Sequence, residues 1–137
     1  MVVERARRMG EHSRGSQAWC AAMLTDLLDA LAALAQQADQ QLAAHQGCAL
    51  VCEELALAYV HACWTAPELH RAGWVNGQQR RLVEGLRQRL DAIGDPWTPD
   101  RARLWTVAGL RADPRWEAIR ADAGEALAAF DPLDPAG

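Results

Sequence analysis

Apolar residues recur at three- and four-residue spacing early in the chain. Leu24, Leu27, Leu28, Leu31, Leu34, Ala35, Ala38 and Leu42 fall on one side of a helix, and Asp26, Asp29, Gln36, Gln37, Asp39 and Gln40 lie largely off it. The spacing predicts one long amphipathic helix over about 16–45, capped by Ser16 and ended by Gly47. Residues 48–64, "CALVCEELALAYVHACW", follow a different rule. They are apolar on nearly every side, and too long and too rich in Ala, Leu and Glu for a strand, so they predict a helix at the centre of a bundle.

Beyond Trp64 the punctuation changes. Thr65-Ala66-Pro67-Glu68 reads as a capping box with proline in the first turn, opening a short helix that Gly73 and Asn76-Gly77 break. Leu82, Val83, Leu86, Leu90 and Ile93 form the stripe of a further helix, with Arg80–Glu84 and Arg87–Asp91 spaced as i,i+4 ion pairs and Gly94 and Pro96 as its stop. Thr98-Pro99-Asp100 predicts a helix carrying Leu104, Val107 and Leu110. Asp113-Pro114 predicts the last one, with Trp116, Ile119, Ala123, Leu127 and Phe130 inward. No strand pattern and no internal repeat occurs. The expected fold is all-α, a single-domain bundle of five to six helices around the 48–64 helix. Residues 1–15 are a polar arm, 16–131 the helical domain, and 132–137 a proline-containing tail.

Composition fits that picture and narrows it. With 137 residues, half of them hydrophobic and 23% charged, the chain has enough apolar content for a real core. The net charge of −4 does not favour nucleic acid or an anionic membrane. All 14 basic residues are arginine, as codon bias in a GC-rich bacterial genome would give, and none lies between Gly15 and His70. Asp26 and Asp29 interrupt the apolar stretch near the N-terminus, so neither a signal peptide nor a membrane span is expected, and the default compartment is the cytoplasm.

Four cysteines raise the question of metal or redox chemistry. Cys48 and Cys52, one helical turn apart, together with His45 make the best cluster, but Cys63 lies roughly 16 Å further along the helix axis. A structural zinc site needs four converging ligands. Buried cysteines acting as small hydrophobes are the expectation, and no cofactor is expected. Glu53, Glu54 and His61 are candidate polar-core or site residues. Glu54 and His61 are two turns apart, and Glu-x-x-His and His-Glu-x-x-His are both missing. Serine occurs only at Ser13 and Ser16, which leaves little for nucleophilic serine chemistry. An Arg-x4-His spacing at Arg7 and His12 loosely resembles the motif of HEPN ribonucleases. It falls in the polar arm, where one match is expected by chance.

Six tryptophans among eight aromatic residues are less ordinary. Tryptophan and arginine are enriched at binding hot spots. Trp74 and Trp97, in Gly- and Pro-flanked connections, are candidate surface anchors, with Arg80, Arg81 and Arg87 beside them in the candidate interface. The reading reached is a small non-enzymatic protein-binding module: an inhibitor, an immunity or antitoxin-type protein, or an assembly subunit. Its partner is another protein, and a homo-oligomer is compatible with the pattern. Two alternatives stand: a nucleic-acid-associated subunit using Arg80 to Arg103, and a small helical metal, redox or hydrolytic protein using Glu53, Glu54, His61 and the cysteines.

Overall fold

A computed structural model describes residues 16–130, apart from positions 47, 49, 95, 96, 98 and 100. The chain is an all-α bundle, with no strand among the described residues. Its elements are α1 (Gln17–Ala35), α2 (Ala38–Ala44), α3 (Val51–Cys63), α4 (Ala66–Arg71), α5 (Gly77–Ala92), a 3-10 turn (Ala102–Trp105), α6 (Val107–Ala112) and α7 (Pro114–Ala128). The four long helices close a ring in which α1 packs on α7, α7 on α5, α5 on α3 and α3 on α1; the α1–α7 pair is the most extensive. The core between them holds Leu27, Leu31, Leu55, Tyr59, Leu86, Trp116 and Ile119. Polar links tie the ring together. The Tyr59 hydroxyl donates to the Val83 carbonyl at 2.6 Å, joining α3 to α5, and Arg89 of α5 pairs with Asp122 of α7.

Several local signals act as their chemistry dictates. The Ser16 hydroxyl accepts from the Trp19 N–H at 3.0 Å and caps α1. Asn76 and Gln79 cap α5 reciprocally, at 2.8 and 2.7 Å. Asp113 caps α7 with Pro114 in its first turn. Gly73, at φ 85°, ends α4. Its N–H bonds to the His70 carbonyl and the next N–H, from Trp74, to Leu69, the paired bonds of a left-handed helix terminus.

Three expectations need correction. The single helix over 16–45 is two, because Gln36 and Gln37 are extended, with ψ 155° and 154°. Gln41, fully buried, turns its amide back onto the Ala33 and Leu34 carbonyls at 3.0 and 3.1 Å and satisfies the end of α1. The helix expected to carry Leu104 through Leu110 is interrupted at Thr106, whose hydroxyl donates to the Arg103 carbonyl and accepts from the Gly109 N–H. Thr65 forms no capping box. It is itself helical in backbone, so its hydroxyl reaches back to the Ala62 carbonyl at 2.9 Å, and α3 runs almost directly into α4.

Gly47, Pro96, Thr98, Asp100, the 1–15 arm with Arg7 and His12, and the 132–137 tail lie outside the described residues. By length and composition alone α1 is apolar enough to cross a membrane, although no uninterrupted apolar run was expected to reach that length. Its Leu27, Leu31 and Leu34 are buried in the bundle, while Asp26 and Asp29 are exposed.

Candidate protein-docking surface

The helix α3 buries one side and leaves the other open. Val51, Cys52, Leu55, Ala56, Tyr59 and Cys63 face the core. Leu50, Glu54, Leu57, Ala58, His61 and Trp64 are exposed. At 100° per residue these six fall within about 120° of one another, in a single stripe. Leu50 is 55% exposed, Leu57 50% and Trp64 70%, so the apolar composition of 48–64 overstates its burial. Leu50, Leu57 and Trp64 are spaced by seven, the spacing of a helix seam made for another helix. The His61 ring leans on Trp64, with centroids 5.6 Å apart.

Two depressions flank this stripe. One is an open groove of about 400 Å³ between α1 and α3. The short side chains of Ala30, Ala33, Ala58 and Ala62 leave it open, and Met23, Asp26, Asp29, His61 and Thr65 also line it. The other, about 230 Å³, lies between the end of α3, α4 and α5 and is lined by Trp64 together with Pro67, Val83, Arg80, Glu84 and Arg87. Trp64 lines the second hollow, with Arg80, Glu84 and Arg87, and its ring neighbour His61 lines the first, with Asp26 and Asp29.

The anchors expected from sequence, Trp74 and Trp97, are both exposed. Trp74 is 36% exposed and Trp97 87%, but neither lines the hollows beside Trp64. Trp64, which the sequence places at a helix edge, is exposed as well and lines the second hollow. The signal that identifies it is its seven-residue spacing from Leu57 and Leu50. Arg80 and Arg87 reach the second hollow; Arg81 is exposed but does not line it. Arg87 bonds both Glu84, at 2.6 Å, and Asp91, at 2.7 Å, so Glu84 is taken by Arg87 and not by Arg80. The Arg87 hydrogen bond holds the Glu84 carboxyl below its usual range.

The cysteine and histidine cluster does not assemble. Cys48 is exposed and precedes α3, which starts at Val51, so it is not one helical turn from Cys52. His45 turns its Nδ1 to the Gln41 carbonyl at 3.0 Å. Cys52 is buried, and its thiol lies 3.6 Å from the Thr106 carbonyl. Burial pushes the Cys52 thiol up to about 12 and Cys63 up to about 11, away from the thiolate needed for metal or redox work. Among the described residues no three His, Cys, Asp or Glu side chains are placed to share a metal ion. Glu53 is half-buried with Oε2 unpartnered, while Glu54 and His61 both point outward and do not form a buried polar pair. Comparison with protein families, with curated proteins and with solved structures finds no match to this chain.

Proposed function

We propose that the chain is a small non-enzymatic protein-binding module whose working face is the outer side of α3 with its two flanking hollows. The observation that carries this reading is the exposure of Leu50, Leu57 and Trp64 on one side of one helix. Scattered exposed apolar residues are ordinary; a contiguous row beside charged hollows is a docking surface. Fully burying such side chains is worth roughly 1.5–3 kcal/mol each. Completing the burial of these partly covered residues therefore supplies several kcal/mol to an association. The charged rims add orientation, with Asp26 and Asp29 on one flank and Arg80 on the other.

The test is affinity capture from the native host with the wild-type chain and with Trp64→Ala and Leu57→Glu. Both side chains are at least half exposed, so neither change disturbs the core. Loss of a specific partner in both variants, with Trp74→Ala unaffected, is the expected result. Retention of every partner by both variants refutes this face.

A further inference from the structure

Leu50, Glu54, Leu57, Ala58, His61 and Trp64 read nearly the same in both directions once charge is inverted: large apolar, acid, apolar pair, imidazole, large apolar. We infer that the outer face of α3 pairs with the same face of a second copy of this chain, the two helices running antiparallel about a two-fold axis between Leu57 and Ala58. This rests on the docking reading above and names the occupant of that face.

A two-fold contact demands self-complementarity: if residue i meets j, then j meets i. With the axis between positions 57 and 58, each pair of opposed residues sums to 115. Glu54 then lies opposite His61 of the second copy, and the reverse pair repeats the contact. An imidazole N–H donates to a carboxylate at both ends of the seam. Leu57 lies opposite Ala58 of the second copy, a large residue against a small one, so the helices approach closely at the axis. Leu50 and Trp64 lie within one residue of opposition and cover each other at the two ends. The parallel arrangement does the reverse, stacking Glu54 on Glu54 and His61 on His61.

The structure leaves this seam ready. All six side chains are exposed in the single chain, and among the described residues no hydrogen bond engages the side chain of Glu54 or of His61. The groove beside Ala58 and Ala62 gives space next to the axis, with Asp26 and Asp29 lining it beside His61.

Sedimentation velocity of the full chain between about 1 and 200 µM reads the association directly, together with four variants. Dimerisation of the wild type, a monomeric Leu57→Glu with unchanged helical circular dichroism, and weakening by tenfold or more in Glu54→His and in His61→Glu are expected. The double variant Glu54→His/His61→Glu restores the pairing in swapped order and is expected to recover most of the affinity, which a merely structural role of either residue would not give. A wild-type monomer at every concentration overturns the inference, as does a dimer indifferent to Leu57→Glu or a double variant no better than the singles. The docking reading fails separately: it falls only if Trp64→Ala and Leu57→Glu both leave host-protein capture unchanged.

Discussion

Gly109 shows how little room some positions have. A Cβ there would come within 2.3 Å of the Arg103 carbonyl oxygen and 2.8 Å of that of Leu104, both backbone atoms that cannot swing away. Gly109→Ala is expected to destabilise the fold by about 1–3 kcal/mol, read as a lower urea midpoint, whereas Gly85→Ala, with open space around it, costs nothing of that kind. The buried thiols set a second expectation. Cys52, ordinarily at 9.0, is pushed up to about 12, Cys63 to about 11, and burial raises Tyr59 as well. Folded values above the unfolded ones mean that the neutral forms stabilise the fold up to about pH 9, and that this contribution is lost as pH rises through 11 to 12. Stability measured by denaturant should be level from about pH 7 to 9 and fall beyond it, with the Cys52→Ala/Cys63→Ala variant showing a shallower fall. Single residues were legible where their chemistry is local. Ser16, Gly73 and Asp113 announce caps and turns from their neighbours alone. Gln41 was not legible, because its partners are carbonyls seven and eight residues back and only the folded turn brings them near.

At the scale of the element, helical periodicity identified every long segment and misplaced two boundaries. The apolar stripe runs through Gln36 and Gln37 without a glycine or proline to mark a break, so the pattern continued where the backbone did not. The break is held from inside, by the Gln41 amide on the end of α1. Gln41→Ala leaves those carbonyls without that donor and is expected to cost about 1–3 kcal/mol, with the loss concentrated in α2 amide exchange. Thr106 reads equally well as a helix interior or a cap, and its position between the 3-10 turn and α6 decided the matter. The candidate site was half legible for a related reason. Sequence marked α3 as unusual, but a helix apolar all round does not say which side is open. That depends on which neighbours close the ring, a tertiary fact.

For the whole molecule, charge is arranged by pairing more than by field. Arg87 is engaged by Glu84 and Asp91, Arg89 by Asp122, Arg111 by Asp39 and Arg115 by Asp113. Of the six arginines from Arg80 to Arg103 that a nucleic-acid reading needs, Arg87 and Arg89 are thereby engaged. Arg80 and Arg81 are in none of these pairs, so Arg80→Ala/Arg81→Ala tests that reading: heparin retention at low salt that stays within about twofold of the wild type removes it. The ring of long helices makes its own prediction: amides of α1 and α7, the most extensive pair, should exchange slowest, and those of α2, α4 and α6 fastest, by hydrogen-exchange mass spectrometry.

Cys48 stands apart from the chain's hidden thiols. It is the one exposed sulfhydryl of four, two residues before Leu50 at the mouth of the α3 seam. A nitroxide or dye coupled under gentle conditions therefore settles there without mutagenesis. In the antiparallel pair the two α3 helices begin, at Val51, roughly 20 Å apart along the axis, at 1.5 Å per residue, and the labelled sites lie beyond those ends. In a parallel pair they sit side by side. The protein thus carries its own spectroscopic ruler, graduated to tell the two arrangements apart by dipolar coupling.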